Sequence, residues 1–328
     1  MDPLNKTTTD EPSNENVASK GRCFVAVHAG AGYHSKKHGK EYRTAMKAAC
    51  AAAMHALCNG KEASDAVEAA IMELEDATAT NAGVGSNLNR LGLVECDASI
   101  MTSAPSDAFG AVGAVGAVAD IRNPIQGANA VRKAYAQGPD SSGLVPPMML
   151  AGRGADLWAR EQGVLMDPHN RFKITEDALA RYSAYMERVE GAAERDKTNA
   201  EAIHVDEAML MDTVGAVCID VRGGVASGVS SGGIALKIPG RIGEASITIG
   251  RAAMFGCGCW AELAEAKGAG DLTFASGCSV SGTGEQISRT LLAMDCARRT
   301  DDMFTALEEC FKSFNATPVL SRYERRSA

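Results

Sequence analysis

Apolar and polar positions divide the chain into blocks with different periods. The first apolar run, Cys23 to His28, ends at A-G-A-G and predicts a buried strand entering a Gly-rich turn. Glu41 to Leu57 is rich in Ala, Lys and Met, without Gly or Pro, and predicts a helix. Ser64 is expected to cap a second helix, Asp65 to Leu74. From Leu91 to Val118 strand-like stretches alternate with Gly, including G-A-V-G-A-V-G-A-V, which suits small residues on packed strands. Ala155 to Glu161 predicts another short helix. Between about Thr175 and Asp212 the chain is charged and nearly free of Gly and Pro, so a helix running into a mobile, solvated linker is expected. At Thr213 the pattern switches to T-V-G-A-V-C-I-D and then V-A-S-G-V-S-S-G-G. These are two β-rich runs around the turn Arg222-Gly223-Gly224, a hairpin signal. Helices are expected again over Glu285 to Ala297 and Asp301 to Phe314. Residues 1–20 hold few large apolar groups and read as a disordered tail.

This order predicts an α+β fold, two sheets sandwiched between helical layers. Aromatic residues are only 5% of the chain while Gly numbers 34, so the core is expected to rely on small side chains and close backbone approach. The formal net charge is −8, which argues against generic nucleic-acid binding. No apolar run reaches the roughly 18 to 20 residues of a membrane span, and the polar first residues lack the apolar stretch of a signal peptide. An intracellular protein, cytoplasmic or nuclear, is expected. The ten Cys residues then read as buried or free thiols rather than a disulfide frame, and the acceptor patterns at Asn5 and Asn315 as chance matches.

Several motifs resolve to ordinary structure. Gly30-Ala31-Gly32 lacks the third glycine of a dinucleotide-binding turn, Ser35 standing in its place, and reads as a tight turn. His34 and His38 have ligand-like spacing but sit among lysines with no acid beside His34, which suits a solvated basic turn. Cys257-Gly258-Cys259 has no second pair at zinc spacing and reads as small apolar packing. The stronger signal is the junction Asp212-Thr213, where a polar linker meets a buried-looking strand whose first residue is Thr. Alone it is an ordinary strand start. Three Gly-flanked clusters of hydroxyl or amide side chains change that: Asn81-Ala82-Gly83-Val84-Gly85-Ser86, Ser230-Ser231-Gly232-Gly233 and Ser281-Gly282-Thr283-Gly284-Glu285. Each sets a short polar side chain beside a glycine, as an oxyanion site requires.

The blocks H-A-G-A-G-Y-H-S, T-N-A-G-V-G-S-N-L-N, E-C-D-A-S-I-M, D-T-V-G-A-V, S-S-G-G and K-I-P-G-R-I-G resemble, in this order, the asparaginase type 2 family of N-terminal-nucleophile hydrolases. G-C-G-C-W-A-E, from Gly256, resembles the threonine aspartase (taspase) branch of that family. The resemblance implies a four-layer αββα sandwich formed by residues 21–328 as one domain. Residues 21–212 would become an alpha subunit and 213–328 a beta subunit. It also implies self-cleavage between Asp212 and Thr213, since a Thr hydroxyl needs a base and the freed α-amine, titrating near about 8, can be that base.

Further roles follow from the same resemblance. Thr213, Ser231, Asn81 and Gly32 match positions at the catalytic centre, and Ser281 and Gly282 match the oxyanion-side loop. Arg241 and Lys40 match groups that hold a substrate Asp carboxylate, for which a bidentate guanidinium contact suits. The reading that follows is a threonine endopeptidase cutting protein substrates after Asp, working as an alpha/beta heterodimer or a dimer of these. No cofactor is expected, because protein groups supply nucleophile, base and oxyanion donors. Two alternatives stand beside it. An L-asparaginase or isoaspartyl peptidase is disfavoured by Glu244, where those enzymes place an Asp that grips the substrate amine. A catalytically silent, truncated chain acting by association is suggested by the polar ending before Ala328, after which the family pattern continues with further strands. The segment Glu244 to Arg251 intervenes where the family runs almost directly to the Gly256 block, and could alter specificity.

Overall fold

The structure, a computed structural model, describes residues 22–30, 38–103, 111–168, 172–195, 213–246, 256–263, 275–282 and 284–298, with 305, 307–310 and 312. In chain order the strands are β1 (Phe24–Ala29), β2 (Cys96–Ser103), β3 (Val112–Val118), β4 (Met149–Ala151), β5 (Val214–Ile219), β6 (Val225–Ser231), β7 (Cys259–Leu263) and β8 (Ala275–Ser279). The helices are α1 (Gly39–Cys58), α2 (Ala63–Glu75), α3 (Pro124–Gln137), α4 (Gly152–Glu161), α5 (Glu176–Arg195), α6 (Gly284–Thr290) and α7 (Leu292–Arg298). The class is α+β. A six-stranded sheet runs β1-β5-β6-β2-β3-β4, antiparallel except for the short β3–β4 pair, and a two-stranded sheet pairs β7 with β8.

Alternation along the strands decides what lies on each face. Val214, Ala216 and Cys218 of β5 join Ala226 of β6 and Cys96, Ala98 and Ile100 of β2 in a core with Ala49, Ala53, Val67, Ala70 and Ile71 of α1 and α2. The intervening residues Met101, Val225 and Val229 pack with Cys259, Trp260 and Ala261 of β7 and with Ala293 and Ala297 of α7. The order through the molecule is therefore helices, large sheet, small sheet, helix. Close approach on the helix side depends on small residues, as the composition predicts. A Cβ on Gly113 would lie 2.2 Å from both Ala128 O and Arg132 N of α3.

The predicted hairpin is present: β5 and β6 pair antiparallel from Val214↔Ser230 to Ile219↔Val225 around the Arg222-Gly223-Gly224 turn. Two expectations change. Ser64 does not cap α2, because the helix begins at Ala63 and extended Glu62 precedes it. The single helix expected over Glu285 to Ala297 is broken at Leu291, whose φ of 52° cannot continue an α-helix. Helix α3 and strands β4, β7 and β8 were not foreseen. The tail 1–20, residues 196–212 of the expected linker, and residues 301–304, 306, 311, 313 and 314 of the last expected helix lie outside the described residues. Among the described residues no helix is long and apolar enough to cross a membrane.

Candidate active site

The strand register sets chemistry in a row. Ser231 of β6 pairs with Asp97 of β2. The β5–β6 ladder starts at Val214↔Ser230 and, continued by one residue, brings Thr213 opposite Ser231. Directly paired residues of an antiparallel ladder share a face, so Thr213, Ser231 and Asp97 lie side by side on the face toward the small sheet. All three are buried.

Thr213 is gripped from two sides. Its hydroxyl donates to Glu244 Oε1 at 2.6 Å, and its backbone N–H donates to Ser281 Oγ at 3.2 Å. Glu244 opens a 3₁₀ turn, Glu244–Ser246, and its carboxyl lies so close to Gly284 that a Cβ there would meet Oε2 at 2.3 Å. Burial raises the Glu244 pKa foremost, and Asp97 adds to the rise; the Thr213 hydroxyl and Arg241 oppose it. Ser281 and Gly282 follow directly on β8, half-buried, so the small sheet delivers this side of the site.

Asp97 holds the turn that carries Arg241 and Glu244. Its Oδ2 accepts from Gly243 N at 2.7 Å, and its Oδ1 from Ala117 N at 2.8 Å. Burial raises its pKa foremost, opposed by Lys237, by those two amides and by Arg241. Lys237 is itself buried and donates to Glu95 O at 2.6 Å. Two cations thus face two buried carboxyls here, and their charge opposes the effect of burial on the acids. Gly233, at φ +73°, permits this approach: a Cβ there would lie 3.3 Å from both Arg241 and Lys237 nitrogens.

Asn81 is buried and knits the 81–87 loop to the end of β6. Its Nδ2 donates to Gly233 O at 2.9 Å, its Oδ1 accepts from Asn87 N at 2.8 Å, and its carbonyl accepts from Gly232 N at 2.7 Å. The Ser231 hydroxyl accepts from Gly233 N at 3.0 Å. On the other flank His28 pairs with Gly215 in the β1–β5 ladder, and its Nε2 lies 2.7 Å from Ser279 Oγ. Burial lowers the His28 pKa to about 4, against a hydrogen bond to the Thr213 backbone, so the ring is neutral near pH 7.

Of the residues singled out in the sequence, the fold therefore gathers Thr213, Ser231, Asn81, Arg241 and Ser281, with Gly282 adjoining. Lys40 is exposed on the first turn of α1, and the described contacts do not bring it into the cluster. Gly32 and Asp212 lie outside the described residues. Asp97, Lys237 and His28 stood inside the quoted motifs without an assigned role; each is a charged or ring side chain within an otherwise small-residue block, which was the available signal. Among the described residues no group of His, Cys, Asp and Glu could hold a metal ion.

The asparaginase family model matches residues 21–319. The chain belongs to the asparaginase type 2 family. Members of this family are N-terminal-nucleophile hydrolases that process themselves into alpha and beta subunits and form oligomers. The chain is 31% identical over 287 residues to the isoaspartyl peptidase of Escherichia coli K12, covering 86% of this chain and 78% of that one. It is 32% identical to the isoaspartyl peptidase/L-asparaginase of Xenopus laevis, covering 82% and 73%. With the Homo sapiens isoaspartyl peptidase/L-asparaginase it shares 35%, covering 67% and 64%.

These relatives correct the expectation of a taspase-like threonine endopeptidase cutting after Asp. The structure gives the reason it misled. Cys257, Cys259, Trp260 and Ala261 of the G-C-G-C-W-A-E block are all buried in the cores around the small sheet, so those letters report packing rather than substrate choice.

Proposed function

We propose that this asparaginase-family chain is an amidohydrolase acting on β-aspartyl bonds, as an isoaspartyl peptidase/L-asparaginase. Thr213 is the nucleophile, freed by self-cleavage after Asp212. Its new α-amine becomes the base that takes the hydroxyl proton, a role the same nitrogen cannot fill as an amide. Arg241 binds the substrate's α-carboxylate through its planar fork. Ser281 and Gly282 lie toward the developing oxyanion, while Ser231 and Asn81 hold the nucleophile's surroundings in place. Residues 21–328 act as one four-layer αββα domain, with 21–212 and 213–328 as its two subunits.

The observation that carries this reading is Thr213 itself. It is buried immediately before the interior strand β5, and its hydroxyl and main-chain nitrogen are each held by a hydrogen bond beside a cluster of two buried carboxyls and two cations. The names of the relatives support the substrate class. The test is to follow intact mass, then aspartate and ammonia release from a β-aspartyl dipeptide and from L-asparagine, in parent and Thr213→Ala. The parent should yield two fragments meeting at Asp212-Thr213 and then turn over. Thr213→Ala should stay uncut and lose at least about 10³-fold in rate. Turnover by Thr213→Ala at the parental rate would refute the assignment of the nucleophile.

A further inference from the structure

Self-cleavage poses a proton problem that the mature mechanism does not solve. In the uncut chain the Thr213 nitrogen is an amide, with no lone pair to offer as a base. The Thr213 hydroxyl proton must therefore pass to another group while the oxygen attacks the carbonyl carbon of residue 212. The neighbouring groups can be sorted by what they already do. Ser281 Oγ is engaged with the Thr213 nitrogen and has no basicity of its own. Asp97 accepts from two backbone amides, Ala117 and Gly243, on strand and turn. The His28 ring bonds to Ser279 and to the Thr213 backbone, and burial holds its pKa at about 4, which leaves it a feeble base. Glu244 remains. The Thr213 hydroxyl donates directly to its Oε1 at 2.6 Å, with the proton already directed at the carboxylate.

We propose that Glu244 is the general base of self-cleavage, taking the Thr213 hydroxyl proton and returning it to the leaving nitrogen. The inference rests on Thr213 being the nucleophile. As the Oγ–C bond to residue 212 forms, the proton moves to Glu244 Oε1. As the C–N bond breaks, the now neutral carboxylic acid gives that proton to the Thr213 nitrogen, which leaves as an amine. The product is an ester between residue 212 and Thr213 Oγ. One water then hydrolyses the ester, leaving a carboxyl on residue 212 and a free hydroxyl and amine on Thr213. Glu244 ends as it began.

Two features fit the task. The immediate setting of Glu244 keeps its carboxyl from swinging away, because Oε2 is wedged against Gly284, whose missing Cβ makes the room. Burial raises the carboxyl's pKa above the ordinary range, and this makes it a stronger base when ionised. The charged and titratable groups facing it are Asp97 from β2, Arg241 from the preceding turn and Cys257 from the approach to β7.

The experiment follows fragment formation by intact mass in the full chain for parent, Thr213→Ala, Glu244→Gln and Glu244→Asp. Glu244→Gln keeps the shape without the basicity, and its self-cleavage should slow by about 10²–10⁴-fold. Glu244→Asp should recover part of that loss, which a purely structural role would not require. The thermal midpoint of uncut Glu244→Gln should match that of uncut Thr213→Ala. Cleavage of Glu244→Gln within about threefold of the parental rate would overturn the inference while leaving Thr213 as nucleophile. A parent that never cuts would overturn both. Should Glu244→Gln fail to fold, the parent's pH profile decides. A rate climbing with pH along one ionisation to a plateau supports the carboxylate base, and a pH-independent rate overturns it.

Discussion

The two faces of the large sheet are built from the same strands yet carry different chemistry. Toward α1, α2 and α3 the strands present Val214, Ala216, Cys218, Ala226, Cys96, Ala98 and Ile100, an almost wholly apolar surface. Toward the small sheet they present Thr213, Ser227, Ser231, Asp97 and Ser99 among Val217, Val225, Val229 and Met101. Polar groups also cross between the sheets: Ser227 Oγ donates to Cys278 O at 2.6 Å, and Ser279 Oγ contacts both Gly228 O and His28. The apolar face fixes the backbone by dense packing, which has no directional requirement. The sheet-to-sheet face adds directional hydrogen bonds, and these aim Thr213 at partners delivered by β8. Strand β8 is half-buried along its length, whereas β3 and β6 are buried throughout.

The sharpest way to break that comparison is to place a methyl group on each side. At Gly113 a Cβ meets the backbone of α3 at 2.2 Å, and backbone cannot yield without moving the helix off the sheet. Gly113→Ala should cost more than the roughly 1–3 kcal/mol of ordinary overpacking, and leave little folded protein. At Gly277, on β8, the close contacts of a Cβ are side-chain methyls of Val217 and Val225, at 2.7 and 3.1 Å, and the nearest backbone atom, Trp260 O, is at an ordinary 3.8 Å. Gly277→Ala should cost about 1–2 kcal/mol. Denaturant midpoints measure both, and equal losses would remove the distinction between the rigid and the yielding face.

Glu75 sharpens the contrast, because it is a carboxyl on the apolar side. It is fully buried on the last turn of α2; its Oε1 accepts from Ile125 N at 3.0 Å and its carbonyl from Val84 N at 2.7 Å. Burial, foremost, raises its pKa from 4.5 to about 8, while the hydrogen bond from the Ile125 amide opposes the shift. The folded chain therefore retains a proton that the unfolded chain releases above pH 4.5. Stability contributed by this group is present in full below pH 4.5 and is lost as pH rises through the window to about 8. The slope is about 1.4 kcal/mol per pH unit. Glu75→Gln lacks this titration, so it should gain on the parent steadily across the window. Midpoints of the pair that keep a constant gap at pH 4.5 and pH 8 would show that Glu75 is ionised in the fold.

What could be read from the sequence follows the same division. The β5–β6 hairpin was legible because period-two alternation flanks an Arg-Gly-Gly turn, and α1 because a long Ala-rich stretch carries no breaker. Strands β7 and β8 were not, since Cys, Gly and Ser in five-residue strands give no hydrophobic period. Helix α3 was missed although Asn123 and Pro124 mark its start; Gly127 within it obscured the pattern, yet a Cβ there would meet Ile121 Cδ1 at 2.7 Å. Within the site, Thr213, Ser231, Asn81 and Ser281 were legible because short polar residues at a strand start or beside glycines stand out in an apolar chain, whereas Arg241 was singled out only by the family resemblance. Glu244 was seen only as a departure from an expected Asp. Its bond to the Thr213 hydroxyl depends on how β5 meets the 241–244 turn, which no local spacing encodes. Lys40, which only the family resemblance singled out, is exposed on the first turn of α1.

The smallest effect is expected on the outer side of the small sheet. Arg298 of α7 donates from Nε to Glu262 Oε2 at 2.9 Å, and its guanidinium lies 4.9 Å from the centroid of the Trp260 ring. Trp260 Nε1 donates to the same carboxylate oxygen at 2.8 Å, so one acid ties a helix and a buried indole together. The Arg298 side chain is about half exposed, at 54%. An ion pair this open contributes about 0–1 kcal/mol, and the ring contact about 0.5–1 kcal/mol more. Arg298→Ala should therefore lower stability by about 1 kcal/mol, with most of that loss insensitive to salt if the ring contact dominates. Self-cleavage should proceed at the parental rate, because the helix-to-sheet pairing lies behind β7 while Ser281 is carried by β8. Denaturant midpoints in low and high salt, read beside fragment formation, separate these outcomes. A loss of self-cleavage at unchanged stability would mean that α7 sets the position of the Ser281 loop, and the outer helix would then belong with the sheet-to-sheet face as part of the machinery that aims Thr213.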